Sequence, residues 1–169
     1  IAENPAATSE PTAPRIVASS SLRRQFDEMF LAEGKGWLAL NKPSGLAVQG
    51  GTGTHHHIDG MMRAMSVDAG SRLRLVHRID KDTSGVLLLA KTVEAARSLT
   101  DAFQKHRLEK TYLALVMGLP PESGSIRDPI LKLGGKAGEK MQAHEDGQSA
   151  QTLYRRLDHA GRKMALMAL

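Results

Sequence analysis

A chain of 169 residues is long enough for one domain with a sizeable buried core. Hydrophobic residues make up 41% and charged residues 24%, and no apolar run is long enough to cross a bilayer, so a membrane partner is not expected. The absence of Cys excludes disulfides and thiolate metal sites, whereas a net charge of +5 permits a polyanionic partner.

The first segment, residues 1–21, is rich in Ala, Pro, Ser and Thr and has no apolar periodicity. It is predicted to be a disordered arm or a linker. The segment does not combine a basic start with an apolar run, as a secretory signal does, so we expect a cytoplasmic protein. Residues 22–169 are expected to form one folded domain, and we expect a monomer.

Elements of the first half follow from the spacing of apolar residues. Residues 29–31 and 37–40 are predicted to be two strands joined by a turn at 33–36. Apolar residues at helical spacing then predict an amphipathic helix that begins near Ile58 and ends near Gly70. The alternating stretch 71–76 predicts a strand that presents Arg72 and Arg74 on one edge.

The second half continues as strands and one helix. Thr92 is typical of a helix N-cap, and the helix is predicted to run to about His106. Residues 111–117 are apolar on both faces and therefore predict a central strand. A further strand near 125–131, interrupted at Asp128-Pro129, precedes a hairpin formed by 151–157 and 163–169.

Two stretches resemble ligand sites and are interpreted otherwise. The loop 50–54 is rich in Gly but lacks the Gly-Lys-Ser/Thr ending of a phosphate-binding loop, so no nucleotide cofactor is expected. His55, His56 and His57 are consecutive, and consecutive side chains rarely converge on one ion. We interpret them as solvated loop residues and predict no metal site.

The polar segment His77–Gly85 lies between two short apolar runs and predicts a strand, a tight loop and a second strand. Asp80 is flanked by Arg78 and Lys81, and neighbouring cations favour the ionised carboxylate. Such a carboxylate can act as a nucleophile or a general base. The alternative is a structural turn in which Asp82 and the residues after it bond local backbone amides.

The whole string resembles the signature His-Arg-(Leu/Ile)-Asp-x-x-Thr-Ser-Gly of pseudouridine synthases of the RluA/RluC/RluD type. Asn41–Leu46 resembles the first motif of that family, and Lys110–Gly118 resembles a later one. The resemblance extends from about Asp27 to the end of the chain. It implies an α+β fold, with a mixed and mainly antiparallel sheet, flanking helices and an active site in a central cleft.

The resemblance implies isomerisation of specific uridines to pseudouridine in structured RNA, without a cofactor. The stretch Ala47–Gly51 and the linker-like start of the chain resemble the RluC-like branch, so the large-subunit (23S) ribosomal RNA is the expected partner. Transfer RNA remains open as the substrate. A non-catalytic RNA-binding module also remains open, because basic charge alone supports it equally well.

Residue roles follow from the same resemblance. Asp80 matches the catalytic aspartate, with nucleophile and base roles both open, and Tyr112 matches a tyrosine that lies against the uracil. Arg78 matches an arginine that fills the space of the flipped base. Lys42 is either a phosphate contact or an exposed structural lysine. The remaining assignments are RNA-backbone contacts by Arg72, Arg74 and Lys81, and loop shaping by His77, Thr83, Ser84 and Gly85.

A later family motif, around Gly-Arg-Thr-His-Gln-Ile-Arg, is absent from this sequence. In the family, its basic residue pairs with the catalytic aspartate. The domain in residues 22–169 is therefore expected to be partial, and these 169 residues alone are expected to be inactive or nearly so.

Overall fold

The computed structural model describes residues 20–51, 53–69, 72–134 and 140–169. The chain divides into two compact units, one ending at Leu108 and the other beginning at Glu109. Most of the predicted arm lies outside the described residues, but Ser20 and Ser21 already belong to the first helix. None of the helices described in these ranges is long and apolar enough to span a membrane.

Both units are built from antiparallel strands, with the described helices in the first unit. The helices are α1 (Ser20–Glu28), α2 (Ile58–Ala69) and α3 (Val93–Gln104). The strands of the first unit are β1 (Phe30–Glu33), β2 (Trp37–Lys42), β3 (Arg74–Leu75) and β4 (Gly85–Ala90). The strands of the second unit are β5 (Leu113–Met117), β6 (Ser123–Ile126), β7 (Ile130–Leu133), β8 (Lys140–Ala143), β9 (Thr152–Ala160) and β10 (Met164–Ala168).

The sheet of the first unit has the strand order β1-β2-β4-β3, with every neighbouring pair antiparallel. The predicted hairpin of β1 and β2 is confirmed. Successive side chains of a strand point to opposite faces, so the face of β2 that carries Leu40 faces the core. There Leu40, Leu87 and Leu89 pack with Ile58 and Met61 of α2, and all five are buried. The core of this unit therefore lies between the sheet and α2.

Helix α2 has the predicted bounds and buries its apolar face. It starts at a cap that the sequence interpretation missed. His57 is half-buried, and its Nδ1 accepts a hydrogen bond from the Gly60 N–H at 3.0 Å. The carbonyl groups of Ala47 and Val48 accept from the N–H groups of Ile58 and Asp59, each at 3.0 Å. His57 is therefore an N-terminal cap, and its interpretation as a solvated loop residue was wrong.

Helix α3 begins after Thr92, whose hydroxyl accepts from the Ala95 N–H at 3.1 Å. The predicted N-cap is thereby confirmed. The backbone N–H of Glu94 and the Thr92 hydroxyl both stabilise the Glu94 carboxylate and lower its pKa. Within the same unit, Phe103 near the end of α3 stacks on the ring of His77.

The second unit contains a sheet of order β5-β10-β9-β6 and a separate β7–β8 pair. The predicted β9–β10 hairpin is confirmed. The prediction for β5 was wrong, because β5 lies at the edge of its sheet in the described part of the chain. Three of its side chains are largely exposed: Leu113 (68%), Leu115 (65%) and Met117 (82%). Apolar character on both faces here marks an uncovered face rather than a central strand.

Candidate active site

The signature segment forms the connection between two adjacent antiparallel strands, as predicted. β3 ends at Leu75, and β4 begins at Gly85. Within the connection the Ile79 side chain is buried, whereas Asp80 is exposed. The Thr83 N–H donates to the Asp80 carbonyl at 3.2 Å and closes a turn. The chain thus holds Ile79 in the core and presents the Asp80 carboxylate to solvent.

Lys42, the last residue of β2, is completely buried, with a relative exposure of 0%. Its Nζ donates to the carbonyl oxygens of Leu46 at 2.7 Å, Pro43 at 2.9 Å and Lys81 at 2.9 Å. An ammonium has three N–H donors, and these three carbonyls match that number. The burial of Lys42 supports neither the phosphate contact nor the exposed lysine. Its ammonium instead joins two loops through these three hydrogen bonds, an arrangement called the clamp below.

Electrostatics at Lys42 follow from its burial. Desolvation lowers the pKa of the Lys42 ammonium below its ordinary value of 10.5. The negative charges of Asp82 and Asp80 act in the opposite direction. The ammonium therefore links the carbonyl just after Asp80 to the first motif and interacts electrostatically with both carboxylates of the signature.

Two further hydrogen bonds join the same loops. The Gly45 N–H donates to the Lys81 carbonyl at 2.9 Å, and the Ser44 hydroxyl donates to the Asp82 carbonyl at 2.8 Å. Gly45 has a φ of +84°, a conformation that side chains with a Cβ rarely adopt. Lys81 therefore contributes through its backbone to the contact between the two motifs, and its side chain is exposed.

His77 opens the signature and contacts two elements of the first unit. Its Nε2 accepts a hydrogen bond from the Leu88 N–H of β4 at 2.8 Å. Its ring stacks on Phe103 of α3, with ring centroids 4.2 Å apart and planes 20° from parallel. These contacts support the predicted loop-shaping role of His77. Neither partner could be predicted from the sequence, because both contacts depend on how β4 and α3 pack in the folded chain.

Gly85 closes the signature with a φ of +125° and pairs with Lys42 in the β2–β4 register. No heavy atom lies within 4 Å of the position that a Cβ would occupy, so the requirement for glycine here is conformational rather than steric. Thr83 takes part in the turn described above, and Ser84 is exposed at its end. The loop-shaping predictions for these residues remain consistent with the geometry.

The predicted basic residues fall in two places in the first unit. The guanidinium of Arg78 is exposed and approaches Gln49 Oε1 at 3.5 Å, beside the first motif. Arg72 and Arg74 lie at β3 instead, where the Arg74 guanidinium donates to the Arg72 carbonyl at 2.7 Å. A polar cavity of about 260 Å³ adjoins them, with these lining residues: Asp59, Met62, Arg63, Arg72, Leu73, Arg74 and Leu75.

Tyr112 belongs to the second unit, immediately before β5. Its backbone N–H and carbonyl both bond to Leu169, at 2.9 Å in each direction, which extends the β5–β10 ladder by one pair. The side chain is 40% exposed. The core-aromatic alternative is therefore not supported, and the phenol is accessible to a ligand.

No group of three or more His, Cys, Asp or Glu side chains placed to hold a metal ion occurs among the described residues. His55 and His56 are exposed, and the ring of His57 caps α2. The histidine run therefore supplies a structural contact at one of its three positions.

Residues 36–169 match the family described as RNA pseudouridylate synthase. The chain belongs to this family. The match includes all three motifs and extends to the last residue. The α+β fold expected for a pseudouridylate synthase, with mainly antiparallel sheets, is confirmed by the strand pairing.

Two similar curated proteins carry the same name. The chain is 39% identical over 132 residues to ribosomal large subunit pseudouridine synthase C of Pasteurella multocida (strain Pm70), covering 77% of this chain and 40% of the relative. It is 39% identical over 130 residues to the protein of that name from Escherichia coli (strain K12), covering 76% and 40%. The chain therefore spans about two fifths of the length of these relatives.

A solved structure of another pseudouridylate synthase has a similar fold. Human RNA Pseudouridylate Synthase Domain Containing 4 superimposes with a TM-score of 0.70 at 28% sequence identity, covering 88% of this chain and 60% of that one.

Proposed function

We propose that the protein with its natural termini isomerises specific uridines of large-subunit ribosomal RNA to pseudouridine. Membership of the pseudouridylate synthase family supports the reaction class. The names of the curated relatives support the ribosomal substrate. A ribosomal substrate also agrees with the cytoplasmic location expected from the sequence.

The reaction exchanges one bond of the ribose for another. The bond from the anomeric carbon to N1 of uracil breaks, the base rotates, and the same carbon bonds to C5. C5 loses its proton to solvent, and N1 ends with a proton, so the product is an isomer of the substrate. The target base must leave the folded RNA to reach the protein, which costs a few kcal/mol of unstacking.

Asp80 is proposed as the carboxylate that starts this reaction, either by adding to the anomeric carbon or by removing a proton from C2′. The observation that carries the proposal is the exposed Asp80 on a loop that Lys42 ties to the first motif. Fixing a reactive group before the substrate arrives removes orientational entropy from the reaction barrier. Arg78, exposed two residues earlier, is proposed to take the place of the flipped base.

The RNA backbone is proposed to lie against the polar cavity at β3, called the basic cavity from here on. Arg63, Arg72 and Arg74 line this cavity, and guanidinium groups bind phosphate in bidentate geometry. Asp59, which also lines the cavity, pairs with Arg63 at 2.6 Å. The role of Tyr112 against the base is the one implied by the family resemblance, and Tyr112→Phe tests it separately.

Release of tritium from uridine C5 tests the reaction and Asp80 together. The RNA is an unmodified large-subunit transcript labelled at C5, with a labelled transfer RNA transcript in parallel. We expect the wild-type protein to release tritium from the ribosomal transcript and Asp80→Asn to release none. Asp27→Asn, an exposed position on α1, is the matched control and should release tritium at the wild-type rate.

Other outcomes separate the alternatives. Release only from transfer RNA would contradict the ribosomal substrate. Binding to RNA without release from either transcript would indicate a non-catalytic module. Equal release by wild type and Asp80→Asn would show that the catalytic carboxylate is another residue.

A further inference from the structure

The backbone of β4 has a hydrogen-bond donor at the point where its neighbour β3 ends. β3 pairs with β4 at Arg74↔Ala90 and Leu75↔Leu89. One residue further along β4, the Leu88 N–H meets the His77 Nε2 at 2.8 Å instead of a β3 carbonyl. The imidazole thus continues the hydrogen bonding of the sheet after the β3 backbone has turned away. A backbone N–H left without a partner at such a position destabilises the fold.

The ring of His77 is also fixed from a second direction. Phe103 of α3 stacks on it at a centroid distance of 4.2 Å and an angle of 20°. A nitrogen that accepts an N–H carries no proton itself, so the ring is neutral in this arrangement. The hydrogen bond fixes the direction of the ring, and the stacking restricts its tilt.

The signature loop is therefore anchored at both ends of its reactive part. His77 anchors it to β4 three residues before Asp80. The Lys81 carbonyl, one residue after Asp80, is held by Lys42 at 2.9 Å and by the Gly45 N–H at 2.9 Å. Ile79, between the anchors, is buried. Asp80 and Arg78 are the exposed residues between these fixed points.

We propose that His77 is a positioning residue, whose hydrogen bond to the Leu88 N–H sets the place of Asp80 relative to the flipped uridine. This inference rests on the proposed pseudouridine synthase activity. His77 itself does not touch the substrate. Its loss removes the anchor between the start of the signature loop and β4, which moves Asp80. Arg72 and Arg74 lie before that point and stay in place through the pairing of β3 with β4.

Two substitutions separate the hydrogen bond from the stacking. His77→Phe keeps an aromatic ring against Phe103 but has no acceptor for the Leu88 N–H. His77→Gln has a carbonyl oxygen at about the reach of Nε2 but no ring. His56→Phe, in an exposed loop, is the matched control. Each variant is made in the protein with its natural termini and assayed by tritium release and by amide hydrogen exchange at Leu88.

For His77→Phe we expect kcat to fall about 10- to 100-fold, as for a displacement of a catalytic group by about 1 Å, with KM for RNA within about twofold of wild type. Exchange at the Leu88 amide should accelerate in the same variant. His77→Gln should restore most of kcat and the slow exchange. His56→Phe should match wild type in both measurements.

Three results would overturn the proposal. One is a His77→Phe variant with wild-type kcat. Another is a rise in KM equal to the loss in kcat, which would indicate general damage to the fold. The third is a His77→Gln variant that regains slow Leu88 exchange but not kcat. A wild-type protein that releases no tritium refutes the proposed function instead, and the exchange data still report on the hydrogen bond alone.

Discussion

Lysine is rarely found without exposed surface, and Lys42 is buried at the centre of the contact between two motifs. A buried ammonium is tolerated when its donors are satisfied, and here three carbonyl groups accept from it. Hydrogen bonds from a charged donor are stronger than those between neutral groups. Lys42 therefore stabilises the relative position of the two loops, and its buried ammonium has all three donors occupied by carbonyl oxygens.

Substitution of Lys42 by Met tests this role. The variant keeps a long flexible chain in the core but leaves the carbonyls of Leu46, Pro43 and Lys81 without their donor. We expect the free energy of unfolding to fall by on the order of 2 kcal/mol, measured by urea denaturation. Lys35→Met, at an exposed turn position, is the control and should change it by less than about 0.5 kcal/mol. An equal effect of the two substitutions would contradict the clamp.

The lowered pKa of Lys42 makes the free energy of unfolding depend on pH in a known direction. Between that lowered pKa and the ordinary value of 10.5, the unfolded chain binds more protons at this lysine than the folded chain. The free energy of unfolding therefore rises with pH in this window through Lys42. Because Lys42→Met lacks this contribution, its deficit relative to wild type should grow as the pH is raised through this window toward 10.5. A deficit that shrinks would contradict the assigned shift.

The burial of Lys42 could have been predicted from the sequence. Leu38, Leu40 and Lys42 alternate along one strand, so they share the face that points to the core. The predicted strand ended at residue 40, so the pattern was not extended to Lys42. The partner carbonyl at Lys81, 39 residues away, could not be predicted, because it depends on how two loops meet in the folded chain.

Among the elements, the conformation of the signature loop depends on the backbone at Gly85, where the loop ends and β4 begins. Gly85 adopts a φ of +125° in register with Lys42. We expect Gly85→Ala to lower the free energy of unfolding by about 1–3 kcal/mol through backbone strain. Gly51→Ala is the matched control, because its Cβ would also meet open space but its φ lies outside the left-handed region. Equal stability of the two variants in urea would refute the strain argument.

Strong local patterns predicted the elements that depend on local information. The β1–β2 hairpin, α2 and the start of α3 follow from turn residues, apolar spacing and an N-cap threonine. Helix α1 was missed, because Leu22 and Phe26 are its only two large apolar residues and do not form a sustained helical repeat. β5 was placed wrongly, since apolar side chains on both faces do not distinguish a covered strand from an exposed one. What covers a strand is decided by distant parts of the chain.

At the scale of the whole molecule, the net charge of +5 and the basic cavity predict salt-dependent RNA binding. Each phosphate contact releases condensed counterions, so affinity falls as salt rises. We expect Arg72→Gln to reduce the slope of log affinity against log salt by about 1. Arg24→Gln, at a position 82% exposed on α1, should leave the slope unchanged. An unchanged slope for Arg72→Gln would place the RNA backbone elsewhere.

The exposed strand β5 has a consequence for the handling of the polypeptide. Natural edge strands commonly carry lysine, proline or a bulge that prevents another chain from adding to them. β5 consists of Leu-Ala-Leu-Val-Met and carries neither charge nor proline. Aggregation of this polypeptide should therefore begin by strand addition at β5, at a rate set by protein concentration. A single lysine at Leu115 would interrupt that growth at little cost to the fold, because this side chain already points into water.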